Sequence, residues 1–392
     1  MKGKLLFGGY IVTIFCLFLY SFTQIDLGLT VSRIPFLREI VTFFQHIGYF
    51  ERPLSTFLYV LLLLALHFFY FVFLFLAYKK KIQKKMIWRM VVITTVLLTF
   101  SYTAFSYDIF NYIFDAKIVT HYQQNPYVSR ALDFPTDPML SFMHWTHRVY
   151  PYGPFWLVLT VPLSFIGLNI FLPTFLLFKL LMAGSFFGSL YFIGKIFQKV
   201  APKKELFGLV FFGLQPLILI ESLVSAHLDI VMMFFALWGF YLLLQRKFVV
   251  AFLLLGISIG IKFITIFLLP VFVVYLMMDK RKDIRWNMLF TAALIFMGVT
   301  VILASMRTNF QPWYLVPMIA FAVFLANRYI VLIPVTIISF FALLTYVPYL
   351  LLGNWDKPVP EILFNLYISS YILSLVTVGG YAIFKQKKAS HF

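Results

Sequence analysis

The sequence predicts an all-α polytopic membrane protein with about twelve crossings. Hydrophobic residues make up 62% and charged residues 12% of 392 positions, a balance far from that of a soluble domain. The net charge of +18 is not spread as a patch for nucleic acid. It gathers in short connectors between apolar runs, at Lys79–Lys85, Lys195–Lys204, Lys280–Arg285 and Lys385–Lys388, the pattern of cytoplasmic loops. Thirteen apolar segments follow one another with no soluble domain, low-complexity tract or clear repeat between them.

In rough bounds the segments are 5–22, 54–77, 89–104, 153–167, 170–194, 206–222, 228–245, 249–260, 264–278, 287–305, 314–326, 329–350 and 365–384. Lys2 and Lys4 precede the first, and no small-x-small cleavage pattern follows it, so it reads as an uncleaved span. The single cysteine, Cys16, lies inside that run; it excludes an intramolecular disulfide and argues against a Cys-based metal site. With both termini and the basic connectors inside, the number of crossings must be even. The conflict falls on 153–194, where 153–167 or 170–194 must be re-entrant or interfacial. The first is the candidate, because it is short and carries Pro154 and Pro162. Acidic residues agree with this sidedness: only Glu205, Asp279 and Asp283 fall inside. Three parts result: two leading spans with outer loop 23–53 (1–88), a core with outer loop 105–152 (89–325), and C-terminal spans with a basic tail (326–392).

The most informative stretch is SYDIFNYIFDAKIVTHYQQNPY, from Ser106 to Tyr127. Asp108, Asn111, Tyr112 and Asp115 fall at i, i+3, i+4 and i+7, one face of a helix. Ile109, Phe110, Ile113, Phe114 and Ile118 form an apolar face, suited to the membrane or to neighbours. Two carboxylates beside hydrocarbon call for a reason; the plain alternative is a solvated face on an interfacial helix. Asn125-Pro126-Tyr127 stops the helix. His144, His147, Arg148 and Tyr150-Pro151-Tyr152-Gly153-Pro154 follow in the same long loop, whose length suggests function. The two His residues suit a metal site or, beside Trp145, an ordinary interfacial anchor.

Three further groups fall at the same membrane level. QPLILIESLVSAHLDIVMM places Glu221, His227 and Asp229 on one short outer connector; a solvated turn with a helix cap is the plain alternative to a ligand set. Lys262, in GISIGIKFITIFLLP, sits near an outer turn, suited either to snorkelling or to a lipid phosphate. Arg307, Gln311, Trp313 and Tyr314 mark another outer span entry, where an aromatic belt is expected and Arg307 suits an anion. Acids, His, Lys and Arg from four separate parts of the chain thus converge on one side. That favours a catalytic or carrier site over a structural role.

The first of these stretches resembles the first-loop signature of GT-C membrane glycosyltransferases, which couple a helix-borne Asp to a following Asn-Pro-Tyr. YPYGPF is similar to their Tyr-Pro-Pro element, with Tyr152 in place of the second Pro. QPLILIESLVSAHLDIVMM resembles the Asn-Pro-Leu…Glu…His-x-Asp stretch of polyprenol-phosphate-mannose-dependent mannosyltransferases, with Gln215 for Asn. GISIGIKFITIFLLP and FQPWYLVP resemble their Lys-containing helix pair and Pro-Trp-Tyr span entry. The resemblance runs in order from about residue 90 to 325 and leaves the leading and last spans uncovered.

The resemblance implies transfer of a sugar, with mannose the expected one, from a polyprenyl-phosphate donor to a glycan or lipid-glycan acceptor at the outer face, with inversion. Asp108 is the implied general base, and Asp115 positions the acceptor or holds the base. Asn111, Tyr112, Asn125, Tyr127, Tyr150, Tyr152, Glu221, His227, Asp229, Lys262, Arg307, Gln311, Trp313 and Tyr314 are the expected substrate-binding residues. The leaving phosphate needs positive charge from Lys262, Arg307 or a divalent cation; Asp108, Asp115 and Asp229 are the candidate ligands for a cation. The rival reading is a transporter or flippase of lipid-linked sugars. Transporters tend to carry ionisable groups at the midplane and internal repeats, which this sequence lacks.

Overall fold

A computed structural model describes residues 2–31 and 34–389, and among them all regular structure is helical. The helices are α1 (Lys2–Ser21), α2 (Pro35–Gln45), α3 (Arg52–Tyr78), α4 (Lys84–Thr99), α5 (Asp108–Thr120), α6 (Pro154–Ile166), α7 (Phe171–Val200), α8 (Glu205–Gly213), α9 (Pro216–Leu219), α10 (Asp229–Leu244), α11 (Phe248–Ile261), α12 (Leu269–Arg281), α13 (Trp286–Arg307), α14 (Leu315–Ala322), α15 (Tyr329–Leu344), α16 (Tyr346–Leu352) and α17 (Val359–Ala389). The side chains of Lys2, Lys387 and Lys388, counted above with the basic ends, lie outside the described residues.

Seven helical stretches are long and apolar enough to cross a membrane, or eight if the bent pair Pro202–Gly213 and Pro216–Val224 is one span. The expectation of about twelve crossings is not met on length. The 13 residues of α6 and the 14 of α11 rise only about 20 Å at 1.5 Å per residue, against a hydrocarbon core of about 30 Å. The bend of 54° in the pair has a local cause. Pro216 cannot donate to the preceding turn and pushes Gln215 into an extended conformation, φ −65° and ψ 120°.

The core is built on α7 and α10. On them Phe186, Leu190, Ile193, Met232, Leu237, Phe240 and Leu243 are all sealed from solvent. α10 packs between α7 and α11, and the Ser258 hydroxyl of α11 donates to the Met232 carbonyl at 2.8 Å. Phe residues serve two purposes: Phe73, Phe110 and Phe178 are buried, whereas Phe57, Phe68, Phe71 and Phe75 line one exposed face of α3.

The basic connectors meet at one end of the bundle. Lys84 reaches Glu205, Lys204 reaches Asn327, and Arg246 reaches Asp279. α11 runs from that end to Lys262 at the other, where the candidate site residues gather. α6 does not head for the basic end. It lies alongside α5, with Trp156 against Tyr112 and Ser164 against Thr120, and its start is tied to α11 by the Gly153 N–H donating to the Ile261 carbonyl at 3.1 Å.

Candidate active site

α5 begins where the Ser106 hydroxyl accepts the Asp108 N–H at 3.1 Å, so Asp108 stands in the first turn, where the helix dipole favours an anion. Of the two readings open for this helix, the solvated interfacial face does not hold, because the helix is enclosed. Ile109 through Ala116 are all buried, because α6 and α7 cover one side and the connector after α5 folds back with Phe134 and Phe142 over Phe114 and Phe110. The carboxylate face is therefore turned into protein.

The second strand of the site comes from the bent pair. After α9 the chain makes a π-turn over Ile220–Val224, a geometry common at functional sites. The His227 N–H donates to the Glu221 carbonyl at 3.0 Å, and Ala226 before it takes φ 60°, an uncommon conformation for a residue with a side chain. Glu221, His227 and Asp229 are each no more than 1% exposed, so the connector is not a solvated turn. Lys179, fully buried on α7, donates to the Ser101 hydroxyl at 3.1 Å, to the Val224 carbonyl at 3.0 Å and to the Leu223 carbonyl. The amine there satisfies carbonyls that the turn leaves unpaired.

These pieces align His227 between two carboxylates. Its Nδ1 lies 3.4 Å from Asp108 Oδ2 and its Nε2 3.3 Å from Glu221 Oε2. The Tyr112 hydroxyl donates to Asp108 Oδ2 at 3.3 Å, and the Tyr346 hydroxyl to Glu221 Oε1 at 2.9 Å. The Trp313 ring stacks on the imidazole at 3.9 Å between centroids. α5 and the His227 connector lie outside the candidate spans. Burial alone would lower the His227 pKa, but the carboxylates of Asp108 and Glu221 outweigh it and raise it to about 9. Burial alone would raise Asp108, but the neighbouring imidazolium, with Arg148 and Lys262 behind it, brings it below the usual value. At neutral pH the site thus holds an ionised Asp108 that can accept a proton beside a cationic His227.

Next to this line, Lys262 Nζ donates to Asp229 Oδ1 at 2.8 Å and stands 5.5 Å from the centroid of the Tyr314 ring. Asp115, two turns along from Asp108, is 9% exposed, and burial raises it to about 7 against the opposing charge of Arg148. The Arg148 guanidinium lies 5.6 Å from the Tyr152 ring centroid, and Tyr112 packs edge-on to Tyr152 at 5.4 Å.

Other expected residues fall elsewhere. Asn111 is buried, and its amide donates to the Tyr107 carbonyl at 3.3 Å. Asn125 is exposed and accepts the Tyr127 N–H at 3.0 Å within its own turn, while Tyr127 donates to the Tyr152 carbonyl at 3.3 Å. Tyr150 is buried and donates to the Gly153 carbonyl at 2.7 Å. These hydrogen bonds brace the loop. Gln311 is half-buried beside Trp313, and Arg307 is exposed and makes none of the site contacts. Asp108, Asp115 and Asp229 do not converge: Asp108 faces His227, Asp229 faces Lys262, and Asp115 stands about 10 Å along the helix from Asp108. Among the described residues no group of three His, Cys, Asp or Glu side chains is arranged to hold a metal ion, His144 and His147 included. Lys179, Arg148 and Tyr346 belong to the site or its support and were not singled out from the sequence. A lone lysine within an apolar run was the available signal for the first.

The model of a protein family described as alpha-(1->6)-mannopyranosyltransferase, N-terminal domain, matches residues 13–278. That range takes in the leading spans that the motif resemblance left out, and ends before Trp313. No curated protein and no solved structure matches the chain.

Proposed function

The chain belongs to the alpha-(1->6)-mannopyranosyltransferase family, and from that premise we propose that it moves a mannosyl group from a polyprenyl phosphate to an acceptor hydroxyl with Asp108 as general base. The observation that carries this reading is the line Asp108–His227–Glu221, in contact at 3.4 and 3.3 Å. In the step, the acceptor oxygen forms a bond to C1 of the mannose as the bond from C1 to the phosphate oxygen breaks. The acceptor proton passes to Asp108, the electron pair leaves with the phosphate, and the configuration at C1 inverts. His227 holds Asp108 ionised and oriented, and Glu221 with Tyr346 keeps His227 protonated. Lys262, anchored by Asp229 but with 21% of its side chain exposed, stabilises the leaving phosphate.

The gathering of the basic connectors at the end opposite the site supports an extracytoplasmic active site by the charge rule for membrane loops. A lipid-linked donor fits a site so placed, where nucleotide sugars are not at hand. The test is transfer of radiolabelled mannose, in proteoliposomes, from polyprenyl-phosphate-mannose to an α-mannoside acceptor. The expected result is an α-(1→6)-linked product from the lipid donor and none from a nucleotide-sugar donor. Transfer from the nucleotide sugar alone would overturn the donor assignment, and the absence of transfer from either would overturn the reading.

A further inference from the structure

Several buried polar atoms around the site have no hydrogen-bond partner among the described residues, both ring nitrogens of His227 and Glu221 Oε2 included, and two of them belong to α5 and the loop that follows it. One is Asp115 Oδ2, an acceptor; the other is Arg148 Nη1, a donor. Buried groups of this kind are normally hydrogen-bonded, and each left unpaired costs stability. The two side chains do not satisfy one another, for Asp115 and Arg148 form no ion pair. Yet the charge of each bears on the other, and the Arg148 guanidinium, over the Tyr152 ring at 5.6 Å, is also felt by Asp108. Tyr112 and Tyr150 stand at 5.4 and 5.7 Å from that ring.

We infer that Asp115, Arg148 and Tyr152 form a subsite for a hexopyranose ring, with a sugar hydroxyl bridging the Asp115 carboxylate and the Arg148 guanidinium. The inference rests on the mannosyl-transfer reading and adds the groups that grip a sugar. A sugar hydroxyl can donate to a carboxylate while accepting from a guanidinium, and so can satisfy both atoms at once. A phosphate has acceptors only and would meet the like charges of Asp108 and Asp115. An ammonium would meet Arg148. The aromatic walls suit the apolar C–H face of a sugar ring, as in ligand sites where a few polar groups fix orientation within an apolar lining. Asp115 lies on the same helix face as Asp108, about 10 Å along the axis. A ring held there places another of its hydroxyls, or its C1, toward Asp108. The ring is that of the acceptor or that of the transferred mannosyl group, and the two sources are separable.

The test uses the purified full chain in detergent, with Asp115→Asn, Arg148→Gln and Arg148→Lys. Equilibrium binding of radiolabelled α-(1→6)-mannobiose reports the acceptor, the KM for polyprenyl-phosphate-mannose reports the donor, and inhibition by sugar-free polyprenyl phosphate reports the phosphate. The expected result is about tenfold weaker mannobiose binding in Asp115→Asn and Arg148→Gln, with inhibition by polyprenyl phosphate unchanged. If wild type binds no mannobiose, a rise of the donor KM of the same size in both variants assigns the ring to the donor. Unchanged mannobiose binding together with unchanged donor KM overturns the subsite, as does weaker inhibition by polyprenyl phosphate in Arg148→Gln. Arg148→Lys keeps the charge and replaces Arg148→Gln if the latter fails to fold. Wild type that binds mannobiose but transfers no mannose would sink the transfer reading and leave the subsite to be decided by binding alone.

Discussion

His227 Nδ1 stands 3.4 Å from Asp108 Oδ2. The contact joins the first turn of α5 to a turn far along the chain, in a site where burial and charge pull in opposite directions. Removing the imidazole leaves Asp108 and Glu221 as two buried anions without their shared cation, a costly arrangement. His227→Ala is expected to lower kcat about 100-fold or more, in the range of lost acid–base assistance. Glu221→Gln keeps the shape and is expected to lower kcat less. A steady-state comparison of kcat for the two variants checks the order.

The pH profile of transfer should show two limbs. Asp115, raised to about 7 by burial, ionises as pH rises through that value, and the rate rises with its carboxylate. His227, raised to about 9, loses its proton above that, and the rate falls. In Asp115→Asn the limb near 7 should vanish while the limb near 9 stays. His227 also links pH to folding: because its folded pKa lies above its ordinary value of about 6.5, its stabilisation is complete below that pH and is lost as pH rises through about 9. Thermal midpoints measured across that window check the sign.

Lys179 holds the π-turn by its carbonyls and reaches no carboxylate among the described residues. Lys179→Met leaves those buried acceptors unpaired, at a cost of about 1–3 kcal/mol. Because the turn delivers Glu221 and His227, the alkaline limb of the rate profile should move and kcat should fall with donor KM unchanged. Partial recovery in Lys179→Arg would mark a positioning residue. A lower thermal midpoint with an unchanged profile would mark a purely structural one.

Gly153 is where the loop touches α11. A Cβ built there would stand 2.2 Å from the Gly260 carbonyl oxygen, so no side chain fits without moving backbone. Gly153→Ala should push the loop away from the Gly260–Ile261 backbone that precedes Lys262, lower the thermal midpoint by several degrees and raise the KM for the lipid donor. Gly184 on α7 has open space around its Cβ position. Gly184→Ala is the control and should leave both quantities unchanged.

Lys262→Ala separates leaving-group stabilisation from base catalysis. It removes the cation paired with Asp229 at 2.8 Å. The expected result is weaker inhibition by polyprenyl phosphate and a lower kcat/KM for the lipid donor, with the rate limb near 9 kept. Unchanged inhibition would remove Lys262 from the phosphate side.

Much of this site was legible because ionisable residues stand out against an apolar chain. Asp108, His227, Asp229, Lys262 and Trp313 come from four separate stretches, and the fold brings them together. What the sequence did not disclose was burial. Helical spacing puts Asp108 and Asp115 on one face but says nothing of α6 and α7 closing over the other, so a solvated interfacial helix stayed open as an alternative for α5. Asn125 and Tyr127 read as ligands from the motif they share; the structure adds that Asn125 accepts the Tyr127 N–H within the turn and that the Tyr127 hydroxyl ties the turn to Tyr152. Arg148 sat in a loop with no periodicity to give it a direction, and Tyr346 lay beyond the resembling region. About twelve crossings were expected because apolar runs such as α10 and α11 look like spans, but at 16 and 14 residues these helices are short of the length that crosses a bilayer unaided.

The account stands most directly on Asp108→Asn. The substitution keeps the size of the side chain and removes its charge, and with that its ability to take a proton and its charge pairing with His227. Single-turnover transfer of labelled mannose from polyprenyl-phosphate-mannose would be measured for wild type and variant at equal insertion and equal donor binding. The predicted result is transfer in wild type and a loss of at least about 100-fold in the variant. Transfer by Asp108→Asn at the wild-type rate would contradict the assignment of the base.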